Sequence, residues 1–456
     1  MAVTGLYESR QDPDEQRRAF TSGEVPVSVV GLGKMGLPLA AVYAETAGDV
    51  VGVDVDQDVV DGINEGRSHI KGEPGLSDLV AEQVEAGRLR ATTSAAEAAE
   101  AAAVHVVIVP TPLTNDHEPD LSALTAAVEG IGEGLSKGDL VVVECTVPPG
   151  TCEGRVRPLL SSVSGLDEDE FGVAFCPERT SSGRALKDIR GAYPKVVGGA
   201  DEESGRAAEL VYGELTSNDI VPMEDATSAE AVKLFEGVYR DVNIALANEL
   251  AKLDRDLGID VNEAIDAANT QPFCDIHTPG PGVGGHCIPF YPYFIMKYTE
   301  TDTPLLRTAR EVNDSMPAHT VHLLADGLEA MGRDVDGSTV AVLGITYRAG
   351  VEETRKTPAA GVIDGLNARG AKVLAADPLI DDIESFGATP IEARDIPDAD
   401  VDAVVLVTAH EEFADIDWGR LEDALLVDGR GVLEEWCGDG DYRILTIGGG
   451  ERVSGQ

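Results

Sequence analysis

The chain has 456 residues, too many for one ordinary core, so two or three domains are expected. Asp and Glu number 82 against 35 Lys and Arg, and the resulting net charge of −47 is spread along the chain. Such a surface repels phosphate backbones and argues against nucleic-acid binding. It reads as adaptation to high salt, and it leaves any phosphate-bearing ligand dependent on local Arg, Lys or backbone N–H groups. No apolar run reaches the roughly 18 residues of a membrane span, and residues 1–23 read as a mobile acidic tail, not a signal peptide. The six cysteines (Cys145, Cys152, Cys176, Cys274, Cys287 and Cys437) show no zinc spacing and suit a reduced, cytoplasmic protein. His319-x-x-His322 has no third ligand in view, so no metal is expected.

The first apolar strand, Val27–Val30, runs straight into Gly31-Leu-Gly33-Lys34-Met35-Gly36. A helical segment from Leu37 to Thr46 follows, then a second strand ending in Asp54. Strand, G-x-G-x-x-G, helix, strand, acid is the order of a dinucleotide-binding unit. The glycines permit a tight turn and close approach of a pyrophosphate to the helix N-terminus, and Asp54 suits a ribose 2′-OH, favouring NAD over NADP. The continuous apolar runs Val104–Val109 and Leu140–Glu144 suit a parallel sheet covered on both faces. Thr111 and Thr146 follow their carboxyl ends, where ligands bind in such sheets, and are candidates to face the nicotinamide; a hydroxyl satisfying a turn is the alternative for each. Glu178, in Cys176-Pro-Glu-Arg179, is either a solvated charge or a site carboxylate.

The longest helical pattern runs from Ser228 to about Leu257. Lys233, Gly237, Arg240, Ile244 and Asn248 recur three or four apart and so are expected on one face, a possible dimer seam. Next comes Gly280-Pro-Gly282-Val-Gly284-Gly285-His-Cys287-Ile-Pro, a glycine-rich loop that holds a thiol for chemistry more than for packing. A mixed helical stretch carries Arg310 to Pro317. A second strand–Gly–helix–strand unit begins at Val340 and lacks a full G-x-G-x-x-G, so it is expected to bind something other than a dinucleotide. Arg348 and Arg355 are its local cations for a diphosphate, with plain surface arginine as the alternative.

These motifs in this order resemble the nucleotide-sugar 6-dehydrogenases, the UDP-glucose and UDP-N-acetylhexosamine dehydrogenases, from about Val27 to Pro378. The resemblance implies an α/β fold of two Rossmann-like, doubly wound parallel-sheet domains. They are an NAD domain (24–214) and a UDP-sugar domain (331–456), joined by a long-helix segment (215–330) in at least a dimer. It also implies two hydride transfers from the sugar C6 to NAD through a thioester on Cys287. Lys233 then assists proton transfer, Glu178 and Thr146 surround the reacting carbonyl, and Arg355 reaches cofactor across a subunit contact. Arg348 stands on the UDP side, and Arg179, Lys233, Arg240, Gly282 and Gly284 line the substrate. Two departures bear on hydrolysis: Gly237 stands where relatives carry Asn, and Tyr291 where they carry Asp. Cys176-Pro-Glu-Arg179 and Gly285-His-Cys-Ile-Pro resemble the N-acetylmannosamine and N-acetylglucosamine branch, whereas Gln271-Pro272-Phe273 does not. A UDP-N-acetylhexosamine is therefore expected as substrate. UDP-glucose is the alternative within the family, and a binding protein that has lost turnover the alternative outside it.

Overall fold

The computed structural model describes residues 5–181, 183–438, 440 and 442–453. The chain divides into two compact units, 1–236 with 293–299, and 237–292 with 300–456.

The first unit is built on an eight-stranded sheet. Its strands are β1 (Val27–Val30), β2 (Val50–Val53), β3 (Leu89–Thr92), β4 (Val104–Val107), β5 (Leu140–Val143), β6 (Gly172–Phe175), β7 (Lys195–Gly199) and β8 (Ile220–Pro222). They lie in the order β3-β2-β1-β4-β5-β6-β7-β8, parallel except where β6 meets β7. β1, β2, β4, β5 and β6 are buried at every position, as continuous apolar runs predict for strands covered on both faces. The strand order reverses between β1 and β4, and that crevice is where doubly wound sheets bind their ligands.

The expected mobile tail is corrected by helix α1 (Pro13–Thr21). Asp12 accepts the Asp14 N–H at 2.9 Å as N-cap, and Pro13 opens the first turn. Gln16, Ala19 and Phe20 recur at helical spacing and are buried. Arg206 ties the helix down, donating to Gln16 Oε1 at 3.1 Å and to the Leu6 carbonyl at 2.8 Å. Three apolar contacts on one face outweigh the polar majority of the segment.

The second unit repeats the plan with β9 (Thr339–Leu343), β10 (Lys372–Ala376), β11 (Thr389–Pro390), β12 (Ala403–Leu406), β13 (Leu425–Asp428), β14 (Arg443–Thr446) and β15 (Gly450–Val453). Their order is β11-β10-β9-β12-β13-β14-β15, with β15 antiparallel. The expectation of two doubly wound α/β domains holds.

The central segment supplies three helices. Helix α2 (Ala226–Ala251) stops six residues before the expected end at Leu257, where Asp254–Leu257 forms a separate turn closed by left-handed Gly258. Helix α3 (Tyr291–Met296) follows the cysteine loop. Helix α4 (Pro304–Ala330) runs unbroken through Pro317, where a mixed stretch was expected. The buried face of α2 is Lys233, Gly237, Asp241, Ala245 and Asn248, while Arg240 is exposed. At 3.6 residues per turn the inward direction passes through 241, one position beyond the expected Arg240.

Candidate active site

In the first unit each fingerprint glycine has its own reason. Gly31 takes φ +99°, and a Cβ there would strike the Ile108 carbonyl. A Cβ on Gly36 would run into the Gly31 carbonyl, so this glycine lets the Gly36–Ala47 helix start close to the sheet. Gly33 has open space where a side chain would stand, leaving room for a ligand to approach the backbone. The Gly36–Ala47 helix begins beyond Met35 with no side-chain cap, so its first N–H groups suit a pyrophosphate. Asp54 closes the pocket from the end of β2, accepting from Leu32 N–H and Asp56 N–H, each at 3.0 Å. Lys34 and Met35 lie within the turn, and Thr111 and Thr146 follow β4 and β5 as expected. This set of residues fits NAD.

The proton-handling groups of this unit lie together. Lys233 is buried, with its Nζ 3.6 Å from Glu178 Oε2 and 3.5 Å from the Glu144 carbonyl. Glu178 is thus a site carboxylate, the alternative that spacing disfavoured. Its other oxygen accepts from the Thr180 N–H and hydroxyl, which fixes the carboxylate at the end of β6. Arg179 is committed within the protein, to Glu236 at 2.6 Å and to the Pro194 carbonyl, with its guanidinium 5.1 Å from the Tyr193 ring centre.

Glu230 was missed by sequence reasoning. It lies fully buried one helical turn before Lys233 and accepts from Gly150 N–H at 2.5 Å and Cys152 N–H at 2.8 Å. It thereby ties the Thr146–Thr151 turn to the helix that carries the lysine. Burial pushes its carboxyl up to about 7, against the N–H groups that favour its charge. In sequence, a glutamate three residues before a lysine looks like an ordinary solvated pair.

In the second unit the cysteine loop is pinned at both ends. Gly280 N–H donates to Asn248 Oδ1 at 2.9 Å, and Asn248 in turn donates to Asn313 Oδ1 at 2.9 Å. Asn313 also donates to Asp241, which pairs with Arg310, so helices α2 and α4 share a buried polar network beneath the loop. Gly285 (φ +88°) donates to the Arg355 carbonyl at 2.8 Å and packs on the Tyr347 ring. Gly282, with φ +140°, sits against Pro358 and Pro317, and Gly284 lies over Tyr347. Of the six cysteines only Cys287 is exposed. Burial pushes the thiols of Cys145 and Cys176 up to about 12 and that of Cys152 higher still, so these three are inert. The side-chain hydrogen bond with Cys287 raises the pKa of His286, a neighbour that sequence reasoning did not single out.

Arg348 and Arg355 are both exposed, and Arg355 forms a two-pronged pair with Glu353 at 3.0 and 2.9 Å. Asp377 ends β10 as Asp54 ends β2, but it accepts Ile345 N–H at 2.7 Å, Thr346 N–H at 2.8 Å and the Thr346 hydroxyl at 3.0 Å, and His410 lies 3.3 Å away. That carboxylate has no capacity left for a ribose.

A glycine fingerprint, an acid at the end of the second strand and a buried lysine–carboxylate pair together define an NAD-dependent oxidoreductase. Three domain models match the chain: the NAD-binding domain (25–216), central domain (227–315) and UDP-binding domain (341–435) of the UDP-glucose/GDP-mannose dehydrogenase family. The chain belongs to that family. It is 37% identical over 415 residues to UDP-N-acetyl-D-mannosamine dehydrogenase of Pyrococcus horikoshii, covering 90% of this chain and 96% of the relative. It is also 37% identical over 421 residues to NDP-N-acetyl-D-galactosaminuronic acid dehydrogenase of Ralstonia solanacearum, covering 89% and 96%. Among solved structures, a UDP-D-ManNAc dehydrogenase from Pyrococcus horikoshii superposes with a TM-score of 0.83 at 35% identity, covering 93% of this chain and 99% of the other.

Proposed function

We propose that the enzyme oxidises the C6 alcohol of a UDP-N-acetylhexosamine, with UDP-N-acetylmannosamine favoured, to the uronic acid in two steps. The observation that carries this reading is Cys287, the one exposed thiol, held in a glycine loop whose backbone is pinned on both sides. A dehydrogenase that stopped at the aldehyde would need the lysine but no such thiol.

Bound NAD supplies the hydride acceptor. Lys233 and Glu178 take up the proton of the C6 hydroxyl as hydride leaves, giving the aldehyde. The Cys287 thiolate adds to that aldehyde, forming a thiohemiacetal whose oxyanion Lys233 stabilises. Loss of a second hydride to a second NAD leaves the thioester. Water, activated by Glu178, then releases the carboxylate and returns the thiol. Thr146 and Thr111 orient the nicotinamide end, and Arg355 contacts cofactor from a neighbouring subunit. Arg348, Arg179, Arg240, Gly282 and Gly284 contribute to nucleotide-sugar binding. The identity to dehydrogenases named for N-acetylated sugars supports an acetamido group at C2.

The acidic surface supports a cytoplasmic enzyme working in high salt, and no helix among the described residues is long and apolar enough to cross a membrane. The sugar is tested by offering UDP-ManNAc, UDP-GlcNAc and UDP-glucose separately at high salt and counting NADH. Two NADH per UDP-ManNAc or UDP-GlcNAc consumed is the expected result; two from UDP-glucose and none from the acetamido sugars would overturn the assignment.

A further inference from the structure

Helix α2 contains one glycine, Gly237, buried in mid-helix. It is not among the residues with positive φ, so no backbone conformation requires it. Glycine in a helix interior lowers helix stability relative to alanine, so its presence there asks for a steric reason. The reason is an aromatic ring. A Cβ at Gly237 would strike Cδ2 of Tyr291, with Cγ and Cε2 only 3.0 and 3.1 Å away. The tyrosine ring lies directly on the bare helix backbone.

Tyr291 is also bound to the nucleophile's own turn. Its N–H donates to the Cys287 carbonyl at 3.0 Å, and Phe290 N–H donates to the same oxygen at 3.0 Å. The backbone that carries the thiol therefore ends on a residue whose side chain is docked on α2. Resting on the assignment of Cys287 as nucleophile, we propose that Tyr291 is a positioning residue for Cys287 and that Gly237 is the seat of its ring. The two departures from the family pattern are then one device. A side chain at 237 and a ring at 291 cannot occupy the same space, so neither change stands alone.

The test is a double-mutant cycle on the full-length protein at high salt, with Gly237→Ala, Tyr291→Ala and the double variant. NADH release is read together with the pH profile of Cys287 alkylation by iodoacetamide, followed on the Cys287 peptide. Each single substitution is expected to slow NADH release by about tenfold or more, in the range that a misplaced reacting group costs, and to shift the alkylation profile. The double variant should be no slower than the worse single one, and Tyr291→Phe, which keeps the ring, should recover most of the Tyr291→Ala loss. Should Gly237→Ala fail to fold, the double variant should fold, because removing the ring makes room for the new methyl. Multiplying effects in the double variant, or a silent Gly237→Ala, would overturn the proposal. Should Cys287→Ser still complete both oxidations, the nucleophile assignment falls, while coupling between 237 and 291 in the alkylation profile of the cysteine-containing variants is read separately.

Discussion

At the scale of single residues, Glu230 decides how the turn bearing Thr146 is held. An acid whose pKa lies near 7 in the folded state and near 4.5 when unfolded keeps its proton on folding between those values. Stability is therefore fully present below about 4.5 and is lost as pH rises through 7, by roughly 3 kcal/mol at most. Glu230→Gln should remove that decline, so that its melting temperature changes less between pH 5 and 8 than that of the wild type. The ionised carboxylate is the stronger acceptor for Gly150 and Cys152 N–H, so the wild-type rate should also rise through pH 7 and that limb should vanish in Glu230→Gln. An unaltered pH profile in the variant would contradict the assignment. Lys233 and Cys287 were legible because their neighbours in sequence, a polar helix face and a run of glycines, are unusual. Glu230, Asp241 and Asn248 were not, because a charge or amide on a helix reads as solvated until the packing partner is known.

At the scale of elements, the strand runs were readable because strands covered on both faces are apolar throughout, and the observed strands fall inside the predicted runs. Helix α1 shows a signal that was present and outweighed. Asp12-Pro13 is an N-cap followed by proline at the first helical position, but the surrounding polar residues favoured a tail. Arg240 shows the converse error. Spacing of three or four residues allows several faces on one helix, and only the burial of Asp241 against Arg310 and Asn313 selects among them. The reason for Gly237 was illegible for the same kind of cause, since its partner Tyr291 lies beyond a long loop and no local rule joins them.

At the scale of the molecule, α2 leaves Tyr239 and Leu246, seven residues apart, half exposed at 52% and 49%. Large apolar side chains repeated on one helix face suit a second copy of the chain. A dimer or larger assembly is expected by light scattering in molar KCl, with a melting temperature that falls as salt is removed and the acidic surfaces repel. A monomer at all salt concentrations, or a melting temperature that rises on desalting, would contradict this. The central claim, however, is that both oxidations pass through one thiol. Its most direct measurement is the mass of the Cys287 peptide after acid quench of Glu178→Gln mixed with NAD and UDP-ManNAc. The account predicts a uronyl adduct on Cys287, formed with two NADH per site and then slow to clear because water is no longer activated. Unmodified Cys287 together with undiminished turnover would contradict it.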